Sequence, residues 1–140
     1  MDKESESAIK VLSLLAKCTE RLISLAEHLR ARKEVRSVRR EWNIRAYRTG
    51  PMLETYVEAE LNDGRSIAWW LELTWDRRFW RIGYSVRISH DQGEDVLQGF
   101  PDLVTENLEG LVEKLELAVS NLVGSGETLS FHQGPWGKGG

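Results

Sequence analysis

Between Ile67 and Ile88 the chain alternates apolar and polar residues, and it places four of its six tryptophans there, at Trp69, Trp70, Trp75 and Trp80. Ile67, Trp69, Leu71, Leu73 and Trp75 share one parity. Across a short charged turn, Trp80, Ile82, Tyr84, Val86 and Ile88 continue it. Successive side chains of a strand point to opposite faces, so a period of two over this length requires a half-buried β-hairpin. The inward face should hold Trp69, Trp75 and Trp80. Trp70 has the opposite parity and belongs to the wet face.

The alternation begins earlier. Leu53, Thr55, Val57, Ala59 and Leu61 interleave with Glu54, Tyr56, Glu58 and Glu60, and Trp42, Ile44 and Ala46 interleave with Asn43, Arg45 and Tyr47. These predict strands over Leu53 to Leu61 and over Trp42 to Tyr47, with Gly50-Pro51 between them. Parity also selects the turns, because cross-strand partners must share a face. A three-residue loop at Asn62-Asp63-Gly64 pairs Leu61 with Arg65, Ala59 with Ile67 and Val57 with Trp69. Gly64 then takes the left-handed position of a bulge. The same rule pairs Trp75 with Trp80, Leu71 with Tyr84 and Trp69 with Val86. Residues 90–101 are expected to form a loop with at most a short edge strand near Val96.

Residues 5 to about 33 contain no Gly or Pro and are rich in Leu, Ala, Lys, Arg and Glu, which predicts one long helix. Ala8, Val11, Leu15, Cys18, Leu22, Leu25 and Leu29 follow a heptad seam. Leu12, Leu14, Ile23 and Ala26 widen the apolar arc beyond what one sheet contact uses. The helix should therefore bury two surfaces, one against the sheet and one against a second helix. That second helix belongs either to the same chain or to another copy. The wide arc favours the copy, a homodimer through Val11, Leu15, Cys18, Leu22, Leu25 and Leu29.

A second helix is predicted from an Asp102 N-cap, with Val104, Leu108, Leu111, Leu115, Ala118 and Leu122 on its apolar stripe and Gly124 closing it. The fold class is α+β: a four-stranded antiparallel meander with N- and C-terminal helices packed on one face, in the order α-β-β-β-β-α. Residues 1–124 form the single domain. Residues 125–140 form a Gly-rich flexible tail.

Composition narrows the chemistry. One cysteine and three scattered histidines lack any metal-ligand spacing, so neither a metal nor another cofactor is expected. Cys18 lies on a helix seam, the setting of a buried small residue, and no catalytic residue is assigned. No apolar run approaches the ~20 residues of a membrane span, and the polar start from Met1 to Glu6 is unlike a signal peptide. A cytoplasmic protein without membrane contact is expected.

Three classes of function compete. The first is protein binding through the wet face or the tail. Tyr56 should lie opposite Trp70, with Glu58, Glu72, Arg81 and Arg87 around them, the composition of an interface centre. Phe131 and Trp136 are aromatic anchors in an otherwise polar tail. Small acidic adaptors such as secretion chaperones and toxin-neutralising immunity proteins share this general architecture, with no motif in common. The second class is nucleic-acid binding. From His28 to Arg48, eight basic residues face only Glu34 and Glu41, so the segment carries +6 and the rest of a −3 chain carries −9. Arg39, Arg40, Arg45 and Arg48 have Trp42 and Tyr47 as stacking partners. The opposing −9 argues against a long polyanion. The third and weakest class is an enzyme using the exposed carboxylate pair Glu54 and Glu72.

Overall fold

The computed structural model describes residues 3–44, 53–76 and 78–129. In chain order they form α1 (Lys3–Arg30), β1 (Val35–Ile44), β2 (Leu53–Leu61), β3 (Ser66–Asp76), β4 (Phe79–His90), β5 (Gly93–Gly99), β6 (Leu103–Thr105) and α2 (Leu108–Thr128). The strands make one antiparallel sheet in the order β1-β2-β3-β4-β5, with β6 also paired to β4. The class is α+β, helix first and last, and the sheet is wider than the four strands expected. β5 and β6 escape the periodicity argument. β5 is exposed at six of its seven positions, so it shows no alternation, and β6 is only three residues long.

The strand registers follow parity. Tyr56 faces Trp70, Val57 faces Trp69, Trp69 faces Val86, and Trp75 faces Trp80. At the first hairpin the Leu61 N–H donates to the Arg65 carbonyl at 2.7 Å, and Gly64 has φ +92°, so the three-residue loop with a left-handed glycine is present. β1 starts at Val35, well before the expected Trp42. Its inward positions are Val38, Arg40 and Trp42, and the arginine among them breaks the apolar alternation that marks a strand.

Both helices cover the inner face. α1 lies over β1 and β2, and α2 lies over β3, β4 and β6, in contact with α1. Their buried side chains and the inward rows of the sheet form one core around Trp69, which is completely buried. Trp75 departs from expectation. It is 41% exposed, at the end of the hairpin, where its main aromatic neighbour is Trp80 with ring centroids 4.8 Å apart.

The second helix differs at both ends. Its N-cap is Asn107, whose side-chain oxygen accepts the Gly110 N–H at 2.7 Å. Asp102 instead precedes β6, and Val104 lies on that strand, 46% exposed. Gly124 does not end the helix, which continues to Thr128, so the boundary drawn at residue 124 falls inside α2. Gly126 is buried against Leu25 of α1, so here glycine serves close helix contact and not termination.

Candidate interaction face

The side of the sheet opposite the helices carries the other parity of every strand, and no described element packs over it. Glu41, Tyr56, Trp70 and Ser85 face one another in a row across β1, β2, β3 and β4. The Tyr56 pKa is pushed up to about 12, first by burial and then by the neighbouring Glu41 carboxylate, with Arg39 opposing. The Arg39 guanidinium lies 5.9 Å from the Tyr56 ring centre and pairs with Glu58 at 2.9 Å. On the other side, the Arg87 guanidinium lies 5.0 Å from the Trp70 ring centre. Arg87 also donates to Ser85 at 3.1 Å and to Glu94 at 3.2 Å. The two rings thus sit side by side with one arginine over each. A cation over an aromatic face is worth about 0.5–1 kcal/mol at exposed sites.

Beside the aromatic pair is a carboxylate cluster. Glu54 faces Glu72 across β2 and β3, and Glu72 faces Gly83 across β3 and β4. A side chain at Gly83 would start 3.4 Å from Asp102 Oδ1, 3.8 Å from Trp70 Cζ3 and 3.9 Å from Glu72 Oε1. Three functional groups therefore converge over a strand position that has no side chain. Burial raises the Glu72 pKa, the Glu54 and Asp102 charges raise it further, and Arg87 opposes them. Asp102 lies 4.0 Å from Arg81, which also stacks over Phe79 at 5.5 Å. Neither Glu54 nor Glu72 has an ion-pair partner among the described residues.

Tyr56, Trp70, Glu58, Glu72 and Arg87 are brought together as a face, while Arg81 stands at its margin with Asp102. Gly83 and Asp102 were not singled out from sequence. The available signal was Gly83 itself, since a glycine inside an alternating strand marks a close approach. Asp102 offered none, because its place depends on the fold of β6. Phe131 and Trp136 lie outside the described residues.

The nucleic-acid candidates do not form one patch. Arg39 and Arg40 are neighbours on a strand and point to opposite faces. Arg39 pairs with Glu58, Arg36 with Glu60 at 2.8 Å, and Arg32 with Glu34 at 3.3 Å. The basic segment folds against acidic β2, so a charge that is segregated along the sequence is matched in space. Arg45 and Arg48 lie outside the described residues.

The heptad residues are used within one chain. Cys18, Leu22, Leu25 and Leu29 are buried in the core and Leu15 is half-buried, whereas the side chain of Val11 lies outside the described residues. α2 and the sheet supply both surfaces that the wide arc required. Burial pushes the Cys18 thiol up to about 11.

Other chemistry has weaker support. His90 lines a polar cleft with Asp63, Arg65, Asp91 and Gln92. Its Nε2 lies 2.7 Å from Asp95 Oδ2, and its Nδ1 accepts the Gln92 N–H at 3.2 Å, so both ring nitrogens are engaged. Among the described residues no group of three or more His, Cys, Asp or Glu could hold a metal ion, and no helix is long and apolar enough to cross a membrane. Comparison with protein-family models, with curated proteins and with solved structures finds no match.

Proposed function

We propose that this chain is a non-catalytic, cytoplasmic protein-interaction module of the small adaptor kind, and that its partner docks on the outer sheet face. The observation that carries the reading is the Tyr56–Trp70 pair at the centre of a face that no described element covers. Tyrosine, tryptophan and arginine are the residues enriched at binding hot spots, where a charged rim excludes water. Glu54 and Glu72 supply the polarity. Two facing carboxylates with no ion-pair partner among the described residues favour a partner that brings arginine or lysine beside the rings. The engaged nitrogens of His90 and the buried Cys18 thiol give no support to catalysis.

The experiment is affinity capture from the source cell's lysate with the full chain, run in parallel with Trp70→Ala, Tyr56→Ala and Trp75→Ala. A protein retained by wild type and by Trp75→Ala, and lost with both outer-face variants at unchanged melting temperature, supports the reading. If every retained protein is indifferent to Trp70 and Tyr56, the reading fails.

A further inference from the structure

We infer that two copies of this chain associate through β1, each strand pairing antiparallel with its counterpart about a two-fold axis at Arg40. This contact lies at the edge of the sheet and does not depend on the proposed function.

β1 is the terminal strand of the sheet, ten residues long, and among the described residues nothing pairs with its free edge. An uncovered edge of that length presents a row of unpaired backbone donors and acceptors. The usual guards are present only in part. A bulge between Val35 and Ser37 disrupts the start of the strand, which confines regular pairing to the stretch from Ser37 to Asn43. On the outer face the charges of that stretch complement themselves, while the inward Arg40 meets its own counterpart. With the axis at Arg40, Arg39 on the outer face meets Glu41 of the second copy, and Glu41 meets Arg39. On the inner face Val38 meets Trp42 of the second copy, twice. Trp42 is 38% exposed in the single chain, and this register covers it. The two Arg40 side chains meet at the axis, where each has Trp42 of the other copy as its diagonal neighbour, within reach of a cation–π contact.

α1 fits the same axis. It lies over β1 and β2, so its axis sits about half a strand spacing inside the edge. Adding the spacing between the two β1 strands, the two α1 axes stand about two spacings apart, or ~10 Å. Packed helices are separated by about 8–10 Å. Along the chain, Val35 to Arg40 covers ~17 Å of strand. The same distance back from the end of α1 covers ~11 residues, which places Thr19 level with Arg40. Arg21 reaches Ser120 of α2 at 2.8 Å. Thr19 and Ile23 lie ~160° around the helix from Arg21, on the flank away from α2. Both are half-buried, and Ala16 beside them is exposed. A small, weakly polar flank thus stands above the open edge, where the second α1 would cross antiparallel. A two-fold axis perpendicular to the sheet also leaves both outer faces on the same side, presenting two Tyr56–Trp70 pairs together.

The test uses the full chain. Sedimentation at tens of micromolar should give twice the 16.1 kDa of one chain. In a Cys18→Ala background, Arg40→Cys should form an intermolecular disulfide under mild oxidation, because residues meeting at the axis are ~5.5 Å apart at Cα. Glu113→Cys, on the exposed side of α2, should not. Ile23→Asp and Trp42→Asp should each halve the sedimenting mass without loss of the folded circular dichroism spectrum. A folded wild-type monomer at these concentrations overturns the inference. So does Arg40→Cys that links no faster than Glu113→Cys, or a chain that dimerises only after residues 130–140 are removed.

Discussion

Gly126 of α2 lies directly against Leu25 of α1: a Cβ at position 126 would overlap Leu25 Cδ1 and stand 3.4 Å from Trp69 Nε1. The two helices and the central tryptophan of the sheet meet there and leave no room for a methyl group. Gly126→Ala should therefore destabilise the fold by about 1–3 kcal/mol, the scale of overpacking, despite alanine's better helix propensity. Gly124, two residues earlier, has nothing within 4 Å of the corresponding position. Gly124→Ala should stabilise by up to about 1 kcal/mol, the propensity gain alone. Urea titration of both variants measures the contrast, and equal effects would show that α1 and α2 do not meet at Gly126.

Trp69 and Trp70 are adjacent and should respond differently. Trp69 is fully buried, so Trp69→Ala should cost about 3–5 kcal/mol. Its Nε1–H has no acceptor among the described residues, so Trp69→Phe loses volume without losing a hydrogen bond and should cost much less. Trp70→Ala should cost about 0.2–1 kcal/mol, the scale of a cross-strand pair. Chemical denaturation of the three variants, fitted with a common m-value, checks the order.

Trp75 shares the parity of Trp69 without its burial. Trp75→Ala should cost well under the Trp69 value, mainly through the contact with Trp80, where the rings are tilted by 55°. Such a pair is worth about 0.5–1.5 kcal/mol beyond area burial. A double-mutant cycle of Trp75→Ala with Trp80→Ala isolates it, and a coupling near zero would remove the pair from the stability account.

Glu72 is held above its ordinary pKa, first by burial and then by Glu54 and Asp102. A carboxyl with a raised folded pKa binds protons in the folded state at pH values where the unfolded chain has released them. Stability then falls as pH rises from the ordinary carboxylate range through the raised folded pKa. Glu72→Gln should remove that loss, stabilising the protein at neutral pH by roughly 0.2–1 kcal/mol. The gain should vanish below the unfolded pKa, where wild-type Glu72 is already protonated. Thermal melts of both proteins across acid and neutral pH give the sign, and a gain that persists in acid would assign the effect to packing.

Side-chain parity was enough to place Tyr56 opposite Trp70, Trp75 opposite Trp80, and a left-handed Gly64 in a three-residue turn. These relations are local, and a one-residue slip would expose a whole apolar row, so the alternation itself enforces them. The face that holds Tyr56, Trp70 and Glu72 was legible for the same reason. Parity could not say how much of an inward row the helices reach. Trp75 carries the correct parity and lies 41% exposed, while Cys18, Leu22 and Leu29 are covered by their own chain. Nor could charge counting along the chain show that the arginines of β1 would lie beside the glutamates of β2. Glycine was the least decidable residue of all. Gly64 frees a turn, Gly83 leaves space for Trp70, Glu72 and Asp102, and Gly126 admits Leu25. A missing side chain has no periodicity of its own, so its role is set by whatever the rest of the fold brings against it.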